Sequence, residues 1–208
     1  AAAARGNRSQ RTSLRLEGRI PQTSVTTSQT VEFELVLIAA YGYDPFNRRI
    51  VRIAPEFGVD ARYSYDGWRE VEELAPVSQS GTTVAQARKV MVWGAEFTEL
   101  LSYHRWEDQG SGQWGWTGYL VSQDEQGSVT WLHRADGTEV ERVEYDPYGE
   151  RLVKVNQGGT YSSQAVSSVG LDISYTGHRH DVETGLLYSR NRYLRTDWGR
   201  FMTLDPLG

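Results

Sequence analysis

Apolar and polar residues alternate through most of this chain, and an alternation with period two is the signature of strands with one face buried. It runs from Ser13 to Ile20 and again from Val31 to Leu37, the two stretches being separated by Pro21 and a Ser/Thr-rich segment. From Tyr41 onward the runs shorten and are punctuated by Gly, Asp and Pro: RRIVRIA, DARYSYDGWREVEEL, RKVMVWG, WTGYLV and GSVTWLHRADGTEVERVEYDPYGERLVKV. Asp136-Gly137 sits between two such runs, and a pair of that kind favours hairpin turns that need positive φ. The most helical windows, 84–87 and 96–101, are too short for an amphipathic helix. Loops are expected at 78–83, at 109–113 and at 156–170, the last being NQGGTYSSQAVSSVG, which reads as a flexible surface excursion. The acidic run REVEEL reads as a solvated strand face.

The turns repeat. YDPYGERL at 145–152 has a looser copy, YDPFNRRI, at 43–50 and a further echo, YDGWREV, at 65–71. Asp124 and Asp146 lie 22 residues apart, as do Gly127 and Gly149, and Asp44 and Asp66. A period of that size marks stacked units. Each unit would be a hairpin, and hairpins that cannot bury both faces alone add edge to edge into a long sheet. In such a turn Asp accepts from backbone N–H groups two residues on, Pro147 presets φ and Gly149 supplies a conformation other residues resist. Tyr43, Asp44, Tyr65, Asp66, Tyr145, Asp146, Pro147 and Gly149 are therefore read as corners of a ribbon, in preference to an acidic sugar or metal site.

Composition sharpens this picture. Of 208 residues, 38% are hydrophobic, so seven Trp and twelve Tyr carry much of the apolar load, and 21 Gly imply many turns. A net charge of −5 argues against a nucleic-acid partner, whose phosphates call for a basic face. The absence of cysteine excludes disulfides and thiol chemistry. No run approaches the roughly eighteen apolar residues of a membrane helix. The opening AAAARGNRSQR lacks the basic head and apolar core of a signal peptide, and its alanines are left out of fold reasoning. The final FMTLDPLG halts in turn chemistry, so the chain is expected to be a piece of something longer.

Residues 129–153 and 175–208, VTWLHRADGTEVERVEYDPYGERLV and YTGHRHDVETGLLYSRNRYLRTDWGRFMTLDPLG, resemble the RHS-repeat (YD-repeat) associated core domain. The likeness extends more weakly over 41–119, through YGYDPFNRR, YDGWREVEEL and VMVWG, and residues 1–38 fit less well. It implies an all-β ribbon of repeated hairpins, curled as part of an RHS/YD-repeat shell. The expected organisation is an N-terminal β segment at 1–40, YD-type hairpins at 41–155, the flexible loop at 156–170 and the core terminal segment at 171–208. In bacterial Tc toxins and RHS effectors such a shell encloses a variable C-terminal toxin, and teneurins share the ribbon. Secretion or cell-surface display, partners drawn from the rest of the same chain or from other copies, and an enclosed toxin segment follow from the resemblance; no cofactor does. Many members are aspartyl autoproteases that cut after a second D-P-x-G-L. By that resemblance Asp205 and Arg192 are the candidate catalytic pair, but the chain stops at the first such motif, so no cutting is expected within it.

Two further groups stand out. His178 and His180, with Asp181 beside them, would share a strand face, but zinc needs three or four converging ligands, and hydrogen bonding within a turn is the better expectation. Trp106, Trp114 and Trp116 cluster around the Gly-rich DQGSGQWGW; the first two are candidates for stacking on sugars or a partner, whereas Trp116 is expected to be buried. No Ser-His-Asp spacing, phosphate loop or CxxC motif is present. The expected function is a structural shell segment that encloses or presents cargo, with a self-assembling or glycan-binding surface module as one alternative and an autoprotease core as the other.

Overall fold

The computed structural model describes residues 10–18, 33–79 and 81–204. Strands dominate, and among the described residues the helical turns are three short 3₁₀ segments. The first twelve strands are β1 (Gln10–Gly18), β2 (Phe33–Tyr43), β3 (Arg49–Ala54), β4 (Val59–Asp66), β5 (Arg69–Gln79) and β6 (Thr82–Trp93), then β7 (Leu100–Asp108), β8 (Trp114–Gln123), β9 (Val129–Arg134), β10 (Glu139–Tyr145), β11 (Arg151–Gln157) and β12 (Thr160–Gln164). They form one antiparallel sheet in chain order, so each hairpin adds to the edge left by the previous one. Strands β13 (Arg179–Asp181), β14 (Leu186–Ser189), β15 (Arg192–Arg195) and β16 (Arg200–Phe201) form a second, four-stranded antiparallel sheet.

The all-β ribbon of hairpins is as expected, and Asp136-Gly137 does close a hairpin, between β9 and β10. Two local expectations need correction. Within 156–170, Thr160–Gln164 pair with β11 around Gly158 and Gly159, both at positive φ. The small polar residues there decorate a strand, since backbone pairing does not require apolar side chains. The 78–83 stretch is mostly strand as well, with Ser78 paired to Thr83 and Gln79 to Thr82. The 84–87 window, read as too short for a helix, lies inside β6.

The small sheet and the segment leading to it, 165–178, cover one face of the long sheet. Val169, Leu171 and Ile173 pack with Met91, Leu100, Tyr103, Tyr119, Val129 and Leu132 into one apolar cluster. A second joins Ala39, Tyr41, Tyr43 and Ala54 to Tyr193 of β15. The first lies on β6–β9 and the second on β2 and β3.

The covered face is phased by a recurring β-bulge. In β3 the register steps from Val51 to Arg49, in β5 from Glu72 to Glu70, in β7 from Ser102 to Leu100 and in β9 from Trp131 to Val129, each time skipping one residue. A skipped residue re-aims the strand. Positions i and i+3 therefore share the covered face: Arg49 with Arg52, Glu70 with Glu73, Leu100 with Tyr103 and Val129 with Leu132, all buried.

Candidate functional site

Two of those bulged pairs are charged, and they build an ion network between the apolar clusters. The partners come from GHRHDVETG, where Arg179, Asp181 and Glu183 alternate onto the buried side. Arg49 donates to both oxygens of Asp181, at 2.5 and 2.8 Å. Arg52 grips Glu183 through Nε at 2.9 Å and Nη2 at 2.5 Å, and reaches Asp172 at 3.1 Å. Arg179 points back to the ribbon, pairing with Glu70 and Glu73 of β5 and with Asp172 at 2.9 Å. Lys89 of β6 holds Glu73 at 3.0 Å and Asp172 at 3.4 Å. Tyr41 donates to Glu183 at 2.9 Å. Burial by itself pushes the Asp172 carboxyl up, but Lys89, Arg52 and Arg179 outweigh it and hold the group well below the usual carboxylate range. Ring faces enclose the cations: Arg49 lies 4.2 Å from the Tyr188 centroid and Arg179 lies 4.7 Å from that of Tyr63.

The acidic run REVEEL is thus not a solvated face. Glu70 and Glu73 are its two buried members, because the bulge at Val71 turns both inward. In GHRHD the charged partners lie on the face opposite the histidines. Among the described residues no group of three or more His, Asp or Glu is arranged to hold a metal ion.

The repeated turns share one construction. The Oδ1 of Asp44 accepts from the N–H groups of Phe46 and Arg48, that of Asp124 from Gln126 and Ser128, and that of Asp146 from Tyr148 and Glu150, all at 2.8–2.9 Å. Asn47, Gly127 and Gly149 occupy the left-handed position three residues after each Asp. A Cβ on Gly149 would come within 2.6 Å of the Tyr175 ring. Tyr65 and Tyr145 each donate to a main-chain carbonyl sixteen residues back, those of Arg49 and Val129. Tyr43 meets the Tyr193 hydroxyl at 2.6 Å. Asp66 departs from the series: it pairs with Arg69 across a two-residue turn, with Gly67 at positive φ.

At the end of the ribbon that carries these turns lies a cleft of about 420 Å³. Trp68, Trp93 and Phe97 supply apolar wall, and Arg48, Arg69 and Arg190 supply cations. Arg192 also lines it and lies 3.9 Å from the Phe201 ring centroid. Asp205, its candidate partner, lies outside the described residues. His178 borders the same cleft, with Nδ1 2.6 Å from Thr176 Oγ1 and Nε2 2.6 Å from Ser189 Oγ. His180 is largely buried and its Nδ1 has no hydrogen-bond partner.

Trp106, Trp114 and Trp116 lie on the uncovered face. Trp116 was expected inside, but it is 45% exposed because Tyr119 takes the inward phase of β8 and Trp116 the outward one. It meets Trp106 edge-on at 5.5 Å. Trp114 is exposed and Trp106 half-buried.

No family model matches the chain. Among curated proteins it is 25% identical over 168 residues to the probable deoxyribonuclease RhsB of Dickeya dadantii, covering 81% of this chain and 10% of that protein. It is 24% identical over 212 residues to the double-stranded DNA deaminase toxin A of Burkholderia cenocepacia, covering 90% of this chain and 13% of that one. The chain therefore spans about a tenth of the length of such relatives. Among solved structures, the crystal structure of TcdB2-TccC3 superposes with a TM-score of 0.59 at 18% identity, over 94% of this chain and 9% of that one. At that identity the likeness shows the fold alone.

Proposed function

We propose that this chain, whose curated relatives include the RHS proteins RhsA and RhsB of Dickeya dadantii, is a wall segment of a toxin-carrying shell, with its terminal sheet locked across the inner face of the ribbon. The observation that carries this reading is the buried ion network, which ties Asp172, Arg179, Asp181 and Glu183 to β3, β5 and β6. Ion pairs removed from water are costly unless every partner is in place, so they specify one docked arrangement more than they add stability. A shell that must hold its last segment in one position needs that property. The relatives' names attach nuclease and deaminase-toxin activities to chains of which this stretch matches 10–13%, in keeping with a shell segment that carries a separate activity. Secretion or surface display would follow, and no helix among the described residues is long and apolar enough to cross a membrane.

Protease protection tests the reading. In the full-length parent protein the C-terminal cargo segment should resist digestion while the shell is intact. It should become accessible when Arg179→Met and Arg52→Met undo the lock. Equal digestion of the cargo segment in the wild type and as a free polypeptide would sink the proposal.

A second reading, a surface that grips glycans or other copies, is favoured by the exposed Trp114 and Trp116 beside Arg88, whose guanidinium lies 5.6 Å from the Trp114 ring centroid. It predicts that Trp114→Ala lowers binding on a glycan array or self-association in sedimentation. An unchanged result in both assays removes it. The Asp205–Arg192 autoprotease reading predicts that Asp205→Asn in the parent protein leaves the chain uncut.

A further inference from the structure

We propose that the cleft at the turn end of the ribbon is a serine esterase site, with Ser189 as nucleophile and His178 as its base, acting on small esters that carry a carboxylate. The sequence shows no serine-hydrolase spacing, but the fold brings the two side chains to 2.6 Å across eleven residues of chain. A nucleophile in contact with a base that is itself oriented by a third group is the working arrangement of covalent acyl transfer. His178 Nδ1 lies 2.6 Å from Thr176 Oγ1 and 3.3 Å from the Tyr175 carbonyl oxygen, and both oxygens can accept from it; with the proton on Nδ1, Nε2 presents its lone pair to Ser189. Burial, and to a smaller degree the charge of Arg190, favour the neutral ring. Directly after Ser189 the chain passes through a strained left-handed residue, Arg190 at φ 50°.

The chemistry balances without a co-reactant other than water. Ser189 Oγ bonds to the ester carbonyl carbon as its proton moves to His178 Nε2. The carbonyl π pair moves to oxygen, then returns and expels the alkoxide, which takes the proton from Nε2. Water repeats the sequence, releasing the carboxylic acid and restoring Ser189. The cleft also selects. Its volume suits a small ligand. Trp68 and Phe97 offer apolar surface, and Arg190 lies over those rings with no ion pair among the described residues, leaving its charge for an anionic substrate group.

The test is labelling of the full chain with a fluorophosphonate probe, followed by hydrolysis of 4-nitrophenyl acetate and of its anionic counterpart, 4-nitrophenyl hemisuccinate. Mass spectrometry should place the label on Ser189. Ser189→Ala, which removes one oxygen, should abolish both labelling and turnover at an unchanged melting temperature. His178→Gln should slow hydrolysis about 100-fold, the usual share of a general base. Arg190→Ala should erase a preference for the hemisuccinate. Absence of label, label on another residue, or turnover undiminished in Ser189→Ala overturns the proposal.

Discussion

Replacing Arg49 with methionine tests whether the ion network fixes the terminal sheet on the ribbon. Arg49 and Asp181 are shut away from water, with side chains 1% and 0% exposed, and they meet through two parallel hydrogen bonds. Methionine fills much of the same space but leaves the Asp181 carboxylate buried, with Arg52 Nε at 3.9 Å as its remaining cation. Removing one partner of such a pair costs about 3–5 kcal/mol, mostly through the stranded charge. At roughly 2–4 °C per kcal/mol for a chain of this size, the melting temperature should fall by on the order of 10 °C. The double variant Arg49→Met/Asp181→Leu removes both charges and should return to within about 1 kcal/mol of the wild type, because an apolar replacement of a buried pair is often neutral. Denaturant unfolding of the wild type, both single variants and the double variant then yields a coupling energy of several kcal/mol. A cost below about 1 kcal/mol for Arg49→Met, or two single costs that simply add, would show that the pair is not what holds the sheets together.

Three smaller tests follow from the turns and the buried histidine. Asp146→Ala strips the acceptor from two main-chain N–H groups and should cost about 1–2 kcal/mol in denaturant unfolding, whereas Asp146→Asn, which keeps an acceptor oxygen, should cost less. Gly149→Ala combines a φ of +91° with a clash against the Tyr175 ring, and a loss of more than about 1 kcal/mol on thermal unfolding is expected; a neutral result would contradict the packing of that turn. Burial first, and then the charge of Arg151, bring the His180 ring down to about 4. The unfolded chain therefore binds more protons than the folded one between about pH 4 and 6.5, and the contribution of His180 to stability is lost as the pH falls through that window. The wild type should lose stability relative to His180→Gln across that range, so parallel pH profiles would refute the burial of this ring.

The ribbon was legible because its signals are local. Alternation, Asp-Gly and D-P-x-G each act over a few residues, and backbone pairing between consecutive strands asks for nothing further. The covered face was less legible, for two physical reasons. A bulge breaks the alternation without any residue that must mark it: Ile50, Val71, Leu101 and Thr130 share no property that separates them from their neighbours. REVEEL read with uniform period two therefore came out solvated. Nor does charge carry a label for burial. Arg49 and Asp181 are 132 residues apart, and each becomes tolerable in the interior only through the other.

The same two features explain why a chain with few aliphatic residues can build a two-layer structure at all. A bulge after the turn in each of four strands presents residues i and i+3 together, a pair spaced to meet a strand crossing above. Where the pair is apolar, as in β7 and β9, the segment at 169–173 settles on it by burying its own Val, Leu and Ile. Where it is charged, as in β3 and β5, a complementary strand is required, and Arg179, Asp181 and Glu183 supply opposite signs in the required order. Apolar contact alone would let the upper layer slide along the ribbon, since one leucine substitutes for another with little penalty. Oppositely charged bulges forbid the slide: displacing the upper layer so that Arg179 faced Arg49 or Arg52 would set like charges together out of water. The docked register is thus encoded by the order of signs along two strands, and exchanging the charges of one pair alone should prevent docking while exchanging both partners should restore it.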